Sequence, residues 1–233
     1  MMSKNDGQTD RDPFQGCIIE MDSVVLNGIQ RIYTIIKTEL SKLGVAIDEG
    51  HFARYCLGVH LETGLNRLLV SFGRRSTPEL AQTIRAAYLD QLGAAPLDAD
   101  HPVVALVKGL SEHNVRVALL TRLAVETAEA CFAPLLAFKH VSTLCESQAA
   151  YAGAFPWDVW RRAALTLNMT DRLCVAVVAG AASCKSAMAA SMPVVAIPNE
   201  LTDFQDFTGA IACFDSLEKP VLPAILQALR IQA

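Results

Sequence analysis

The sequence predicts a doubly wound, Rossmann-like α/β fold with a helical cap inserted after the first strand. Three observations carry this. Short apolar runs ending in polar residues alternate with amphipathic stretches of about ten residues, the pattern of βαβ units around a parallel sheet. One block, 24–93, shows only helical periodicity and interrupts that alternation near its beginning. The chain has 233 residues, 52% of them hydrophobic and 19% charged, enough to bury a large core without a metal or disulfide staple.

From the amino end, residues 1–13 are polar and mixed in charge with no apolar stretch, which predicts a disordered tail and no signal peptide. Gly16-Cys17-Ile18-Ile19-Glu20-Met21-Asp22 reads as a buried parallel strand whose carboxyl end carries two acids. Val25, Ile29, Ile32, Ile36, Leu40 and Leu43 then recur at spacings of four, three, four, four and three, one face of a helix stopped at Gly44. Helices are expected at 48–57, 61–72 and 78–92, so 24–93 forms the cap, and 14–23 with 94–233 the core domain. The core continues as helix 103–113, strand 116–121, helix 125–135, strand 140–143 and helix 157–167. Strand 173–178, helix 183–190, strand 194–197, strand 211–214 and a terminal helix 221–231 complete it. The stretch 173–198 is apolar enough to imitate a membrane span, but Lys185 lies within it and Gly180 and Pro193 punctuate it; strand, helix and strand explain it better.

A net charge of −4, with no cluster of Lys and Arg, excludes nucleic acid and anionic membrane as natural partners. The seven cysteines, Cys17, Cys56, Cys131, Cys145, Cys174, Cys184 and Cys213, are odd in number and include no C-x-x-C. They read as small core hydrophobes in a reducing compartment, which predicts a cytoplasmic location and neither a disulfide framework nor a zinc site.

In parallel sheets of this kind chemistry gathers beyond the carboxyl ends of the strands. Glu20 and Asp22 there could act as nucleophile and general acid/base, or hold Mg²⁺; merely solvated acids would look the same in sequence. Thr121 ends the second core strand above a helix start, where it either helps bind a phosphate or carboxylate or caps the helix.

In this order of parts the chain resembles the haloacid dehalogenase (HAD) superfamily, in the branch of β-phosphoglucomutase and phosphoglycolate phosphatase, over about 16–232. That family opens on Asp-x-Asp-Gly-(Val/Thr), and the corresponding residues here are Glu20-Met21-Asp22-Ser23-Val24. Leu57-Gly58-Val59-His60 is similar to its glycine-centred cap segment, Thr121 to its second motif, and Ala154-Phe155-Pro156-Trp157-Asp158 to its Lys-Pro-x-Pro-Asp. Val178-Ala179-Gly180 falls on its Glu-Asp-Ser.

The resemblance implies an Mg²⁺-dependent phosphoryl-transfer site in which Asp22 would be the general acid/base and Thr121 a phosphate-binding hydroxyl. It equally implies that the nucleophile, the charge-neutralising lysine and the metal-binding acids are replaced, by Glu20, Ala154, and Val178 with Ala179. Arg122 either binds an anion beside Thr121 or is an exposed residue at a helix start. Lys185 either reaches back toward the crevice or faces solvent. Leu61 stands where β-phosphoglucomutase carries a phosphate-binding arginine, and His60 faces either the cleft or a helix interface. The expectation is a catalytically impaired HAD-like protein, without a cofactor, that binds a small anionic ligand or a protein partner. The alternative is a divergent phosphatase or phosphomutase-like enzyme that uses Glu20, Asp22 and Mg²⁺ on a small phosphorylated metabolite. The crevice is expected to be apolar and lined in part by Val178 and Ala179. Restoring the four replaced family groups is expected to rebuild Mg²⁺ affinity. Nothing in the sequence sets an oligomeric state.

Overall fold

The structure is a computed structural model that describes residues 15–146, 153–218 and 220–229; the tail expected at 1–13 lies outside them. The first strand, β1 (Gln15–Glu20), passes directly into a single helical turn, α1 (Met21–Val24). Four helices follow: α2 (Gly28–Lys42), α3 (Glu49–Tyr55), α4 (Leu61–Ser71) and α5 (Pro78–Leu92). After α6 (Pro102–Glu112) the chain runs through β2 (Val115–Thr121), α7 (Val125–Cys131), α8 (Ala133–Leu136), β3 (Val141–Cys145) and α9 (Trp157–Thr166). It then forms β4 (Cys174–Val178), α10 (Ala181–Ala189), β5 (Val194–Ala196), β6 (Ala212–Cys213) and α11 (Val221–Ala228).

The six strands form one sheet in the order β3-β2-β1-β4-β5-β6, and every neighbouring pair is parallel. The period-two alternation of side chains divides the apolar residues of each strand between the two faces. Cys17, Ile19, Val117, Leu119, Val175 and Val177 pack on one face, in a core that continues into the buried side chains of α2, α4 and α5. Ile18, Ala118, Leu120, Ala176, Val178 and Val194 pack on the other, against α9 and α10 through Trp160, Ala163, Cys184 and Ala187. Because strands covered on both faces need apolar residues throughout, β1, β2 and β4 read as near-continuous apolar runs.

Several element boundaries differ from the sequence reading, and four of the differences have a clear local cause. The first strand stops at Glu20 rather than Asp22, because the Met21 carbonyl accepts bonds from the Val25 and Leu26 N–H groups and turns the chain out of the sheet. The helix expected from Val25 begins at Gly28, since Asn27 sits in the left-handed region with φ 52°. The helix expected at 125–135 is broken at Phe132, with Pro134 in the first turn of the shorter piece that follows; proline has no N–H to continue the upstream ladder. The helix expected from Ser183 starts two residues earlier, at Ala181.

Two glycines are required by close approach. A Cβ at Gly28 would lie 2.6 Å from the Asp22 carbonyl oxygen and 2.5 Å from the Tyr88 hydroxyl. Gly58 has φ +72° and forms an isolated parallel bridge with Gly153, and a Cβ there would come within 3.0 Å of the Ala182 Cβ. The loop between α3 and α4 therefore rests directly on the segments that precede α9 and begin α10. No helix among the described residues is long and apolar enough to cross a membrane.

Candidate functional site

β1 occupies the middle of the sheet, with β2 and β3 on one side and β4 to β6 on the other. A chain that winds in both directions from a central strand leaves a crevice at the carboxyl ends of the strands around the reversal. Glu20 ends β1, Thr121 ends β2, and α10 begins just beyond β4. Asp22 follows Glu20 on the turn α1, so it points into this crevice from a helical turn rather than from a strand.

The centre of the site is a buried ion pair. Asp22 and Arg122 are 0% and 2% exposed, with Arg122 Nη1 3.0 Å from Asp22 Oδ2. The Asp22 carboxylate also accepts hydrogen bonds from the Thr121 hydroxyl, at 2.6 Å, and from the Arg122 backbone N–H, at 3.1 Å to Oδ2. The guanidinium carbon sits over the Phe155 ring, 3.8 Å from its centroid, and the group donates to the Gly153 carbonyl at 2.5 Å. Stacking on a ring and forked donation suit arginine and not lysine. Burial pulls the guanidinium pKa down, but Asp22, Tyr88 and Glu20 outweigh it and the net shift is upward. Arg122 is therefore a fixed cation.

Glu20 is also buried, and it is held differently. Its Oε1 accepts from the Ser183 hydroxyl at 3.0 Å, whereas Oε2 has no hydrogen-bond partner among the described residues. Burial pushes this carboxyl up to about 7, against the opposing pull of Arg122 and Ser183. Near neutral pH it exists in both forms, accepting through Oε2 when ionised and able to donate when protonated.

Glu20 and Arg122 face a cavity of about 40 Å³ lined also by Ser23, Tyr88, Ala154 and Ser183 and by the apolar side chains of Ile29, Ile32, Phe52 and Leu57; Asp22 and Thr121 do not line it. Its volume is room for about three water molecules. The cavity wall is predominantly apolar, as expected, through Ile29, Ile32, Phe52 and Leu57, with Glu20 and Arg122 as the charged groups set into it; the expected lining by Val178 and Ala179 is what the structure corrects. Val178 packs with Ile18 and Ala176 in the sheet face under α9 and α10, Ala179 is buried, and neither lines the cavity. A side chain at a strand end can turn into a core layer as readily as into a crevice, and here the core layer won.

The remaining residues singled out in the sequence are placed as follows. Thr121 does not cap α7, whose N-cap is Ala124; its oxygen accepts the Leu123 N–H at 3.2 Å while it donates to Asp22. Arg122 is not an exposed residue at a helix start. Ala154 lines the cavity, so the position of the family's lysine does face the site without supplying a charge. Lys185 is exposed on α10 and does not line the cavity. His60 is half exposed at the start of α4 and pairs at 2.6 Å with Glu62, itself bonded to Arg85; Leu61 is buried in the core. Tyr88, Ser183 and Phe155 are the site residues the sequence reading missed. Ser183 had a signal, lying in the first turn of a helix that starts just past a strand end. Tyr88 had none to separate it from Ala81, Ile84 and Leu92, with which it shares a buried helix face.

The donor set does not fit the Mg²⁺ that the family resemblance implies. Both Asp22 oxygens are engaged, Val178 and Ala179 supply no side-chain oxygen, and the guanidinium holds a positive charge against Glu20, the one remaining carboxylate. Mg²⁺ requires about six oxygens in near-octahedral array. Among the described residues no group of three or more His, Cys, Asp or Glu side chains is placed to hold a metal ion.

No protein-family model matches the sequence, and no curated protein matches it either. Solved structures do. CbbY from Rhodobacter sphaeroides in complex with phosphate superposes with a TM-score of 0.69 at 16% identity, covering 91% of this chain and 98% of that one. β-Phosphoglucomutase from Clostridium difficile gives 0.70 at 15% identity, covering 93% and 97%. A HAD family hydrolase from Deinococcus radiodurans R1, with bound phosphate and sodium, gives 0.63 at 16% identity over 93% and 96%. At this identity the likeness concerns the fold.

Proposed function

We propose that this chain, whose fold is that of the haloacid dehalogenase superfamily, is a phosphatase-like protein that works by binding and not by turnover. One observation carries the reading: the groups that would receive a phosphoryl group are already engaged by the protein's own carboxylate. The Thr121 hydroxyl and the Arg122 N–H both donate to Asp22. Phosphoryl transfer depends on donors and cations that are free to follow charge onto the equatorial oxygens. Here the cation is closed off by an internal anion, and the cavity is far smaller than the several hundred cubic ångströms of an ordinary metabolite pocket. Helices α2 to α5 act as a cap over that cavity. What the protein binds is a small anionic ligand or a protein partner.

A second reading, a divergent phosphatase or phosphomutase-like enzyme, draws on one specific feature. Glu20 presents an unpartnered oxygen to the cavity with a pKa of about 7, the right range for a general acid/base or a slow nucleophile. Hydrolysis of a generic aryl phosphate, with and without Mg²⁺, separates the two. The binding reading expects wild-type turnover equal to that of Glu20→Ala. Turnover that Glu20→Ala abolishes establishes the enzyme reading instead.

A further inference from the structure

We infer that Arg122 is a resident cation that has taken over the charge of a divalent metal at this site, and that removing it opens the site to a divalent cation held by Glu20 and Asp22. The inference rests on the reading of the site as internally neutralised, but it concerns metal binding and not catalysis.

Asp22 is wholly buried, and a buried carboxylate needs a compensating positive charge close to its oxygens. Arg122 provides it with one side-chain bond and one backbone bond, and the guanidinium is kept in place from two further directions. Phe155 supports its face and the Gly153 carbonyl takes another of its N–H groups. A side chain held on three sides is a structural counter-ion, not a ligand-seeking arm. The second carboxylate beside it supplies the independent sign that a cation would be accepted: Glu20 Oε2 is buried, lines the same cavity and has no partner among the described residues. Without the guanidinium, Asp22 would be uncovered beside Glu20, and the two carboxylates with the Ser23 and Ser183 hydroxyls would be the oxygen donors at one end of a cavity otherwise walled by Ile29, Ile32, Phe52 and Leu57, with room for about three waters to complete the shell of a small hard cation. With it, a second cation meets repulsion at short range in a water-poor cavity.

The test measures metal, using the full chain at pH 8. Thermal unfolding is followed with and without about 10 mM Mg²⁺, alongside Tb³⁺ luminescence sensitised by Tyr88, which lines the cavity. Wild type should show no rise in melting temperature and no saturable Tb³⁺ emission. Arg122→Met should melt lower in EDTA, rise by several degrees in Mg²⁺ and give saturable emission that Glu20→Gln abolishes. Arg122→Lys keeps a cation and should stay blind to metal. Should Arg122→Met be unfolded in EDTA, refolding on addition of Mg²⁺ supports the inference and persistent unfolding overturns it. It is overturned equally by Mg²⁺ stabilisation of wild type, or by a folded Arg122→Met that binds no metal. Failure of the functional reading shows separately, as metal-free turnover by wild type.

Discussion

At the scale of single residues the energetics turn on which buried charge is left without a partner. Truncating Arg122 strands the Asp22 carboxylate with a hydroxyl and an N–H for company, and breaking a buried pair from one side costs about 3–5 kcal/mol. Urea unfolding of Arg122→Met in metal-free buffer should show a loss of that order, and the double variant with Asp22→Asn should regain most of it, since no charge is then stranded. Glu20 gives a different signature. Its pKa rises from 4.5 to about 7 on folding, so between those values the native state binds more protons than the unfolded chain. Stability must then fall as pH rises through that window, by on the order of 3 kcal/mol, the reverse of a salt-bridged carboxylate. Glu20→Gln should flatten the decline between pH 5 and pH 8; an equally steep decline in the variant would remove Glu20 as its cause. Glu20, Asp22 and Thr121 were legible in the sequence because each is a polar residue at the end of an apolar run. The inward turn of Arg122 was not, because its supports, Gly153 and Phe155, lie some thirty residues away and nothing in the local pattern marks them.

At the scale of elements, helices were the most legible part, since a face such as Ile32, Ile36 and Leu40 repeats over several turns. Their ends were less so, because Asn27 and Pro134 act through backbone conformation and a missing donor while the apolar period runs on past them. The contact between the α3–α4 loop and the start of α10 depends on one residue. Gly58 combines a left-handed backbone with 3.0 Å of clearance to Ala182, so Gly58→Val should cost about 1–3 kcal/mol in backbone strain alone. Because the loop also covers the cavity, hydrogen exchange at the Gly153 bridge should quicken in the variant more than in the central strands. Uniform acceleration across the sheet would mean that the loop is not a separate contact.

For the molecule as a whole, the placement of Val178 and Arg122 alters what it would take to build a metal-dependent site here. Glu20→Asp, Ala154→Lys, Val178→Glu and Ala179→Asp restore the four family groups on paper. Yet Val178→Glu puts a carboxylate into the packed face beside Ile18 and Ala176, where an unpaired charge costs on the order of several kcal/mol. Ala154→Lys adds a second cation to the cavity that Arg122 already lines. The four-residue variant should therefore be strongly destabilised and still bind no Mg²⁺ by calorimetry, and adding Arg122→Ala should be required for any binding. Saturable Mg²⁺ binding by the four-residue variant alone would show that Arg122 is no obstacle. The doubly wound sheet itself was legible, since strand-length apolar runs between helices leave little alternative; which end residues look inward was decided by tertiary packing.

The central position of β1 also governs how the chain comes to fold. Its residues pair with β2 and β4 residues 100 and 158 positions further along, as Gln15 with Val115 and Gly16 with Cys174, so this strand gains no neighbour from nearby sequence. The five helices from α2 to α6 intervene before β2 even begins. Loop closure over such distances must precede any reward from strand pairing. Helical structure in 28–92 should consequently appear early in refolding, while protection of the β1 amides and burial of the Asp22–Arg122 pair arrive together and late. Until then the central strand of the sheet is unpaired, and it is in that interval that the chain is most exposed to aggregation.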